Sequence, residues 1–324
     1  MLLQNVDDPQ VRRPAPSLSV VICAYTLERW VDLCRAVESV LAEPDTVNQL
    51  VIVIDHNEEL YDRATGCFGA DPRIMLCRNT GQRGLSDARN TGVAASDGEI
   101  VAFLDDDAAA QPGWSAALLT HYGDPGVIGV GGHAAPVWPS GRPSWMPAEF
   151  DWVVGCSYVG QPQHVTSVRN PLGCNMSLRR SVFGEIGGFR SEVGRVGSVP
   201  VGGEETELFL RLRAQRPGDR VLLDPSAAVS HHVSADRATP RYFLRRCYHE
   251  GLSKAVVTRL AAAPKSLDSE QSYAMRVLPR AVIREVTSPQ RGGRRRAAMI
   301  VAGLVVTTAG YLRGAVARRG GAGS

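Results

Sequence analysis

Apolar and polar residues are arranged in short blocks through the first 110 residues of the chain. Helical spacing of the apolar positions predicts helices over residues 28–41 and 85–95. Four short apolar runs rich in β-branched residues predict strands, at residues 18–25, 50–54, 73–77 and 99–104. Strands that alternate with helices in this way predict an α/β fold class with a mostly parallel central sheet.

The pattern loosens beyond residue 112. Gly, Pro and Trp are frequent over residues 127–147, which predicts a long aromatic loop over one edge of the sheet. Apolar runs at residues 221–223 and 227–229 predict further strand structure, and a cation-rich helix is expected over residues 241–254.

These patterns divide the chain into four segments. We predict a loose N-terminal segment, a main domain in two halves, a helical extension and a basic, apolar C-terminal segment, at residues 1–17, 18–235 (halves 18–110 and 111–235), 236–290 and 291–324.

Polar residues directly follow three of the predicted strands. Tyr25 and Thr26 follow Ala24 at the end of the first strand, Asp55 follows the second, and Asp105 opens a run of three aspartates after residue 104. The carboxyl ends of parallel strands meet at one edge of a sheet, where proteins of this kind bind ligands. We therefore expect these residues to line one crevice.

The three aspartates carry the clearest chemistry in the sequence. Alternate side chains of an extended segment share a face, so Asp105 and Asp107 can address one ion while Asp106 points elsewhere. Carboxylate oxygens suit Mg²⁺ or Mn²⁺, which often join carboxylates to a diphosphate. A cation would also relieve the repulsion between adjacent carboxylates. The alternative interpretation is a solvated acidic turn, since short motifs recur by chance.

Seven motifs occur in one order along the chain, at residues 18–25, 51–55, 84–92, 103–107, 173–180, 187–189 and 203–208. Together they resemble the successive signatures of the family 2 glycosyltransferases. The resemblance implies a GT-A fold, the Rossmann-like fold of nucleotide-diphospho-sugar transferases, with a helical C-terminal extension. It also implies an inverting enzyme that moves a sugar from a nucleoside-diphosphate sugar, in our interpretation UDP-linked, to an acceptor hydroxyl. A divalent ion would neutralise the leaving diphosphate, and a carboxylate base would take the acceptor proton.

The same resemblance suggests a role for several residues. Glu205, beside Glu204, stands where the family usually carries the aspartate of a Glu-Asp pair, and it is the candidate base. His56 replaces a second aspartate of many relatives, which leaves Asp55 as the acidic contact to the nucleotide base. Arg89 matches an arginine that approaches the nucleotide, with an exposed helix surface as the alternative.

The complete set of expected contacts falls into three groups. Nucleotide-sugar contacts are expected from Ala24, Tyr25, Asp55, Arg89, Asp105 and Asp106. Metal ligands are expected from Asp107 and Asp105, completed by His231 or His232, between which the sequence does not decide. Acceptor or sugar contacts are expected from Gly173, Asn175, Arg245 and Arg246. The arginines would recognise phosphate, with a solvated helix face as the alternative.

Composition and charge narrow the setting. The 324 residues are 44% hydrophobic and 21% charged, as in ordinary globular proteins, and a net charge of +3 gives no reason to expect a nucleic-acid partner. The seven cysteines are scattered and show no paired spacing, which favours a reduced cytoplasmic compartment.

Residues 297–312 form an uncharged stretch with arginines on both sides. It is shorter than the usual membrane span of about 20 residues, and it predicts either association with the inner face of the cell membrane or a buried helix. Membrane association would suit a lipid-linked acceptor, with a polysaccharide as the other acceptor class. Several motifs are also similar to glucuronosyltransferases that act on polyprenyl-phosphate sugars.

Two other functions stay open from the sequence. A nucleotidyltransferase also pairs an α/β nucleotide domain with a divalent ion, but residues 25–29 lack the glycines expected after its first strand. A non-catalytic module that binds nucleotide sugars would need only the crevice. The presence of both Asp107 and Glu205 argues against that module.

Overall fold

A computed structural model describes residues 15–191, 203–260 and 268–316. Nine strands occur in these residues: β1 Leu18–Ala24, β2 Gln49–Ile54, β3 Ile74–Arg78, β4 Ile100–Asp105, β5 Ala108–Ala110, β6 Val127–Val137, β7 Thr166–Ser167, β8 Asn175–Arg179 and β9 Arg220–His232. The same residues form ten α-helices: α1 Trp30–Leu41, α2 Glu58–Phe68, α3 Leu85–Ala95, α4 Trp114–Thr120, α5 Ser181–Ile186, α6 Glu204–Gln215, α7 Pro240–Leu260, α8 Asp268–Ser272, α9 Leu278–Thr287 and α10 Gly293–Val316. A π-helical turn, Tyr273–Val277, joins α8 to α9. The loose segment predicted at residues 1–17 lies outside the described residues except for its last three.

The nine described strands form one sheet in the order β3-β2-β1-β4-β8-β6-β9-β5, with β7 paired to β9. The first four strands of this order are parallel neighbours. Strand β8 is antiparallel to both β4 and β6, and β6 is parallel to β9. The predicted α/β class with a mostly parallel sheet is confirmed. The same sheet contains strands from both sides of residue 110, where the sequence divides the main domain into two halves. The domain boundaries drawn from the sequence stay predictions.

Helices cover both faces of the sheet. On one face α1, α2 and α4 bury apolar side chains such as Leu33, Leu60 and Trp114 against the strands. On the other face α3, α5 and α6 surround Phe103, whose ring meets those of Phe183 and Phe189 at 6.1 and 5.4 Å between centroids. Each large side chain buried in this way contributes roughly 1.5–3 kcal/mol, so the two layers hold the strand ends rigidly.

The C-terminal helices form a third core. Helices α7, α9 and α10 pack with the 3₁₀ segment Ala148–Val154 around Phe150 and Phe243. Glycines let the backbones of α7 and α10 touch, since a Cβ atom at Gly251 would lie 2.1 Å from the Thr307 carbonyl oxygen. The helical extension is therefore fastened to the main sheet layer.

Two sequence interpretations differ from the structure. The loop predicted over residues 127–147 begins with the eleven-residue strand β6, because its glycines permit close strand contact rather than a turn. A Cβ atom at Gly132 would lie 1.6 Å from the Ala227 carbonyl oxygen of β9. Helix α2 was not predicted because it buries only Leu60 and Ala64, which leaves little apolar periodicity to detect.

Candidate functional site

Three neighbouring parallel strands end at one crevice. Cys23 of β1 pairs with Val53 of β2 on one side and with Asp105 of β4 on the other. The cavity at these strand ends has a volume of about 380 Å³, within the usual range for a small-molecule site. It is lined by Cys23, Ala24, Tyr25, Arg29, Asp55, Arg83, Gly84, Leu85, Ala88, Asp105 and Asp106. Five of the six residues predicted to contact the nucleotide sugar line this cavity.

Asp55 organises the β2 side of the cavity. Its Oδ2 accepts a hydrogen bond from the Gly84 backbone N–H at 3.0 Å, and its Oδ1 accepts one from Asn79 Nδ2 at 2.6 Å. His56 follows with Nδ1 at 2.8 Å from Asp55 Oδ1 and with φ of 52°, a left-handed conformation that histidine tolerates better than most residues. Gly84 has φ of 143°, which requires glycine at the start of α3. Asp55 thus ties the first turn of α3 to the end of β2.

The register of the last strand decides between the two histidines. Ala108 of β5 pairs with His231 of β9, and this places His231 Nε2 at 3.2 Å from Asp107 Oδ1. Successive residues of a strand face opposite sides, so His232 points away, and its Nδ1 lies 2.7 Å from Asp32 Oδ2. The structure therefore does not bring the His232 imidazole to Asp105 or Asp107, although the His232 backbone N–H donates to the Asp107 carbonyl oxygen at 2.8 Å.

Asp105, Asp107 and His231 form a group that could hold a metal ion. One ligand atom from each lies within 4.8 Å of the others, and Asp107 and His231 are buried. Burial lowers the pKa of His231, so that its imidazole is neutral at pH 7, as a metal ligand must be. Carboxylates suit hard divalent ions such as Mg²⁺ and Mn²⁺, and imidazole is a common ligand of first-row transition metals. The residues present fit a divalent ion.

Two arginines not identified from the sequence also hold the aspartates. Arg29 Nη1 lies 2.7 Å from Asp106 Oδ1 and 3.2 Å from Asp107 Oδ2. Arg237, from the 3₁₀ turn after β9, reaches Asp107 Oδ2 at 3.4 Å. Burial raises the pKa of Asp106 to about 7 although Arg29 opposes the shift. Asp106 and Asp107 form the turn between β4 and β5 rather than the predicted extended segment, and Arg29 Nη1 contacts both of their carboxylates.

Arg89 is buried and joins the two sides of the crevice. Its guanidinium donates to Asp105 Oδ1 at 3.3 Å, to Glu204 Oε1 at 3.1 Å and to the Gly173 carbonyl oxygen at 2.9 Å. It also lies 5.8 and 5.4 Å from the ring centroids of Phe103 and Phe189. The alternative of an exposed helix-surface arginine is wrong. Arg89 fixes the position of Glu204 relative to the aspartates.

Helix α6 begins with the two candidate catalytic glutamates. Gly203 before them has φ of 113°, a conformation that glycine adopts without strain. Glu204 is buried against Arg89. Glu205 is half-buried, and its Cδ would lie 3.7 Å from a Cβ atom added to Gly173. Burial and then the Glu204 carboxylate raise the pKa of Glu205 to about 8, with Arg89 opposing the shift. A carboxylate whose pKa lies near the working pH is well suited to act as a general base.

The residues predicted to contact acceptor or sugar separate into two sets. Gly173 and Arg246 lie near Glu205, and Arg246 pairs with Glu250 at 2.9 Å. Arg245 is exposed and lies over the ring of Tyr242 instead.

The side chain of Asn175, which was predicted to contact the acceptor or the sugar, is bonded within the sheet. Its side chain is fully buried, its Oδ1 accepts from Trp114 Nε1 at 2.9 Å, and its Nδ2 donates to the carbonyl oxygens of His133 and Ala227 at 3.0 and 2.8 Å. These bonds join β8 to α4, β6 and β9, so Asn175 holds the sheet together beneath the site.

Comparison with known proteins agrees with this geometry. Residues 19–187 match the family model described as Glycosyl transferase family 2. Glucosyl-dolichyl phosphate glucuronosyltransferase of Haloferax volcanii is 37% identical over 257 residues, which cover 79% of this chain and 81% of that protein. Succinoglycan biosynthesis protein ExoM of Rhizobium meliloti is 25% identical over 238 residues, or 72% of each chain.

Two solved structures resemble the fold. GalNAc-T7 with UDP, GalNAc and Mn²⁺ has a TM-score of 0.56 and 17% identity, and the match covers 78% of this chain but 52% of that one. Mannosyltransferase PcManGT from Pyrobaculum calidifontis with GDP-Man and Mn²⁺ has a TM-score of 0.55 and 16% identity, over 94% of this chain and 88% of that one. These likenesses confirm the predicted GT-A fold.

Proposed function

This chain belongs to glycosyl transferase family 2, and from that premise we propose that it transfers a sugar, with inversion, from a UDP-linked donor to a lipid-linked acceptor at the cytoplasmic face of the membrane. One observation carries the proposal. Arg89 bonds to Asp105 of the metal-type cluster and to Glu204, the neighbour of the candidate base Glu205. A nucleotide crevice and a base are thereby held in one rigid arrangement.

The donor side of the proposal uses the cavity at the strand ends. The nucleotide would lie against Ala24, Tyr25 and Asp55, with its diphosphate towards Asp105. A divalent ion, Mn²⁺ in preference to Mg²⁺, would be held by Asp105, Asp107 and His231 and would neutralise charge on the departing diphosphate. The Mn²⁺ named with both similar structures supports this choice.

The acceptor side uses Glu205. Its carboxylate takes the proton of the acceptor hydroxyl as the hydroxyl oxygen forms a bond to the anomeric carbon of the donor sugar. The bond from that carbon to the diphosphate breaks at the same time, and the nucleoside diphosphate leaves with the electron pair. Arg89 keeps Glu204 in place, and the Glu204 charge helps to keep the pKa of Glu205 near neutrality.

A phosphate-linked lipid is the proposed acceptor class. The relative from Haloferax volcanii is named for glucuronosyl transfer to glucosyl-dolichyl phosphate and aligns with most of this chain. Arg246 and Lys254, which flank Glu250 at 2.9 and 3.2 Å, place two cations on the helix next to Glu205. We therefore propose a glucuronosyl-type donor and recognition of the acceptor phosphate by these cations.

A donor screen tests the proposal. Purified protein with Mn²⁺, a panel of sugar nucleotides and a glucosyl polyprenyl phosphate should release nucleoside diphosphate. Both Asp107→Asn and Glu205→Gln should lose this activity, whereas Glu59→Gln, a change at an exposed acid of α2, should keep it. Release of pyrophosphate from a sugar phosphate and a nucleoside triphosphate would instead support a nucleotidyltransferase. Donor binding without release would support a binding module.

A further inference from the structure

The C-terminal helices expose a large apolar surface. We call it the C-terminal apolar face, and its residues are between 37% and 78% exposed: Met275, Ile283, Val286, Val301, Leu304, Val305, Leu312 and Val316. Helices α9 and α10, which carry most of them, pack against each other. On α10 these side chains follow helical spacing opposite the buried positions Ile300, Gly303 and Gly310. Exposed apolar surface of this kind marks a membrane or a partner interface.

Helix α10 has the length and composition to cross a membrane, but its packing opposes that orientation. It has 24 residues, and its most apolar stretch has a mean hydropathy of 1.5. Only 17% of that stretch is buried in the protein. A Cβ atom at Gly310 would lie 2.1 Å from the Tyr248 carbonyl oxygen, so α10 is in backbone contact with α7. Helix α7 carries the charges of Arg246, Glu250 and Lys254. A crossing α10 would draw these charges into hydrocarbon or would have to separate from α7.

The charge around the C-terminal apolar face indicates what covers it. Residues 275–316 contain eight arginines and one glutamate, although the whole chain has a net charge of only +3. Arg284 and Arg296 pair with that glutamate, Glu285, at 2.7 and 2.6 Å. The other six are exposed: Arg276, Arg280, Arg291, Arg294, Arg295 and Arg313. Apolar side chains bordered by arginines fit the boundary between acyl chains and anionic headgroups.

We propose that α9 and α10 bind in the plane of an anionic lipid bilayer, with the C-terminal apolar face in the acyl boundary and the six exposed arginines at the headgroups. The protein attaches to one leaflet and does not span it. This inference deepens the proposed function and rests on it for the assignment of a lipid-linked acceptor. Helix α7 lies between α10 and Glu205, so the attachment would hold the base close to the surface where such acceptors reside.

Vesicle sedimentation with the full chain tests the proposal. The protein should bind vesicles of phosphatidylcholine mixed with phosphatidylglycerol at least about tenfold more tightly than vesicles of phosphatidylcholine alone, and high salt should weaken binding. Alkaline carbonate should release the bound protein, because a helix that lies in the interface has no span to retain it. Failure of the protein to bind the mixed vesicles, or its retention after carbonate treatment, would overturn the inference.

Variants identify the face. The double substitution Val301→Glu and Val305→Glu should weaken vesicle binding by more than about tenfold, since charge replaces apolar contact. The matched pair Val31→Glu and Val165→Glu, at valines 67% and 48% exposed elsewhere, should bind as the wild type does. Unchanged binding by the first pair, or a change only in oligomeric state, would refute the assigned face. Donor hydrolysis should be the same in all variants, and vesicle binding without any sugar transfer would refute the proposed function alone.

Discussion

Replacing Glu205 by glutamine is expected to remove sugar transfer and, at alkaline pH, to stabilise the fold. The pKa of Glu205 is raised from 4.5 to about 8 by burial and by Glu204. The charged groups that face it are Glu204 on α6, Arg89 on α3, and Glu250 with Arg246 on α7. The native state therefore holds this proton more tightly than the unfolded chain does. The resulting stabilisation is complete below about pH 4.5 and is lost as the pH rises through about 8.

The size of this stabilisation follows from the difference between the pKa of Glu205 in the unfolded chain and in the native state. One pKa unit corresponds to roughly 1.4 kcal/mol, and solvent screening of a half-buried carboxylate reduces the expected loss to about 2 kcal/mol between pH 5 and pH 9. Glutamine does not ionise, so the free energy of unfolding of Glu205→Gln should exceed that of the wild type by about 2 kcal/mol more at pH 9 than at pH 5. Urea denaturation of both proteins, with Glu59→Gln as the control, measures this difference. A difference that does not change with pH would refute the raised pKa.

Three further substitutions test other parts of the site. Arg89→Met should lower the free energy of unfolding by about 3–5 kcal/mol, because it leaves the buried Glu204 carboxylate without its cation. Urea denaturation measures this loss, and a value below about 1 kcal/mol would contradict the role of Arg89. His231→Ala should weaken Mn²⁺ binding in the presence of UDP by about tenfold or more, while His232→Ala should not. Isothermal titration measures both affinities, and equal effects would contradict His231 as the metal ligand. Asn175→Ala should lower the free energy of unfolding by about 2–4 kcal/mol and leave donor affinity unchanged. Weaker donor binding without a loss of stability would instead indicate that Asn175 contacts the donor directly.

The crevice was predictable because it depends on local rules. Strands of β-branched residues that end in polar side chains specify both the parallel sheet and the edge at which Tyr25, Asp55 and Asp105 meet. The fold followed from the same alternation of strands and helices. The extended segment predicted over the three aspartates is wrong, because Asp106 and Asp107 form the turn between β4 and β5 and Arg29 Nη1 contacts both carboxylates.

Features that depend on long-range packing were not predictable. Arg237 reaches Asp107 only because β9 pairs with β5, and no local pattern marks that residue. The same pairing selects His231 over His232. Asn175 lies in a motif associated with the site, but its neighbours in three other elements take up its side chain, which a sequence pattern does not reveal.

In the proposed mechanism, one side of the crevice binds the donor and the other side activates the acceptor. Donor affinity with Mn²⁺ and the rate of sugar transfer, measured side by side in Glu205→Gln and Asp107→Asn, test it most directly. Glu205→Gln should bind the donor as the wild type does while transfer falls by about 10²–10⁴-fold, and Asp107→Asn should lose Mn²⁺-dependent donor binding. Transfer by Glu205→Gln at the wild-type rate, or an equal loss of donor binding in both variants, would contradict this division between donor and acceptor sides.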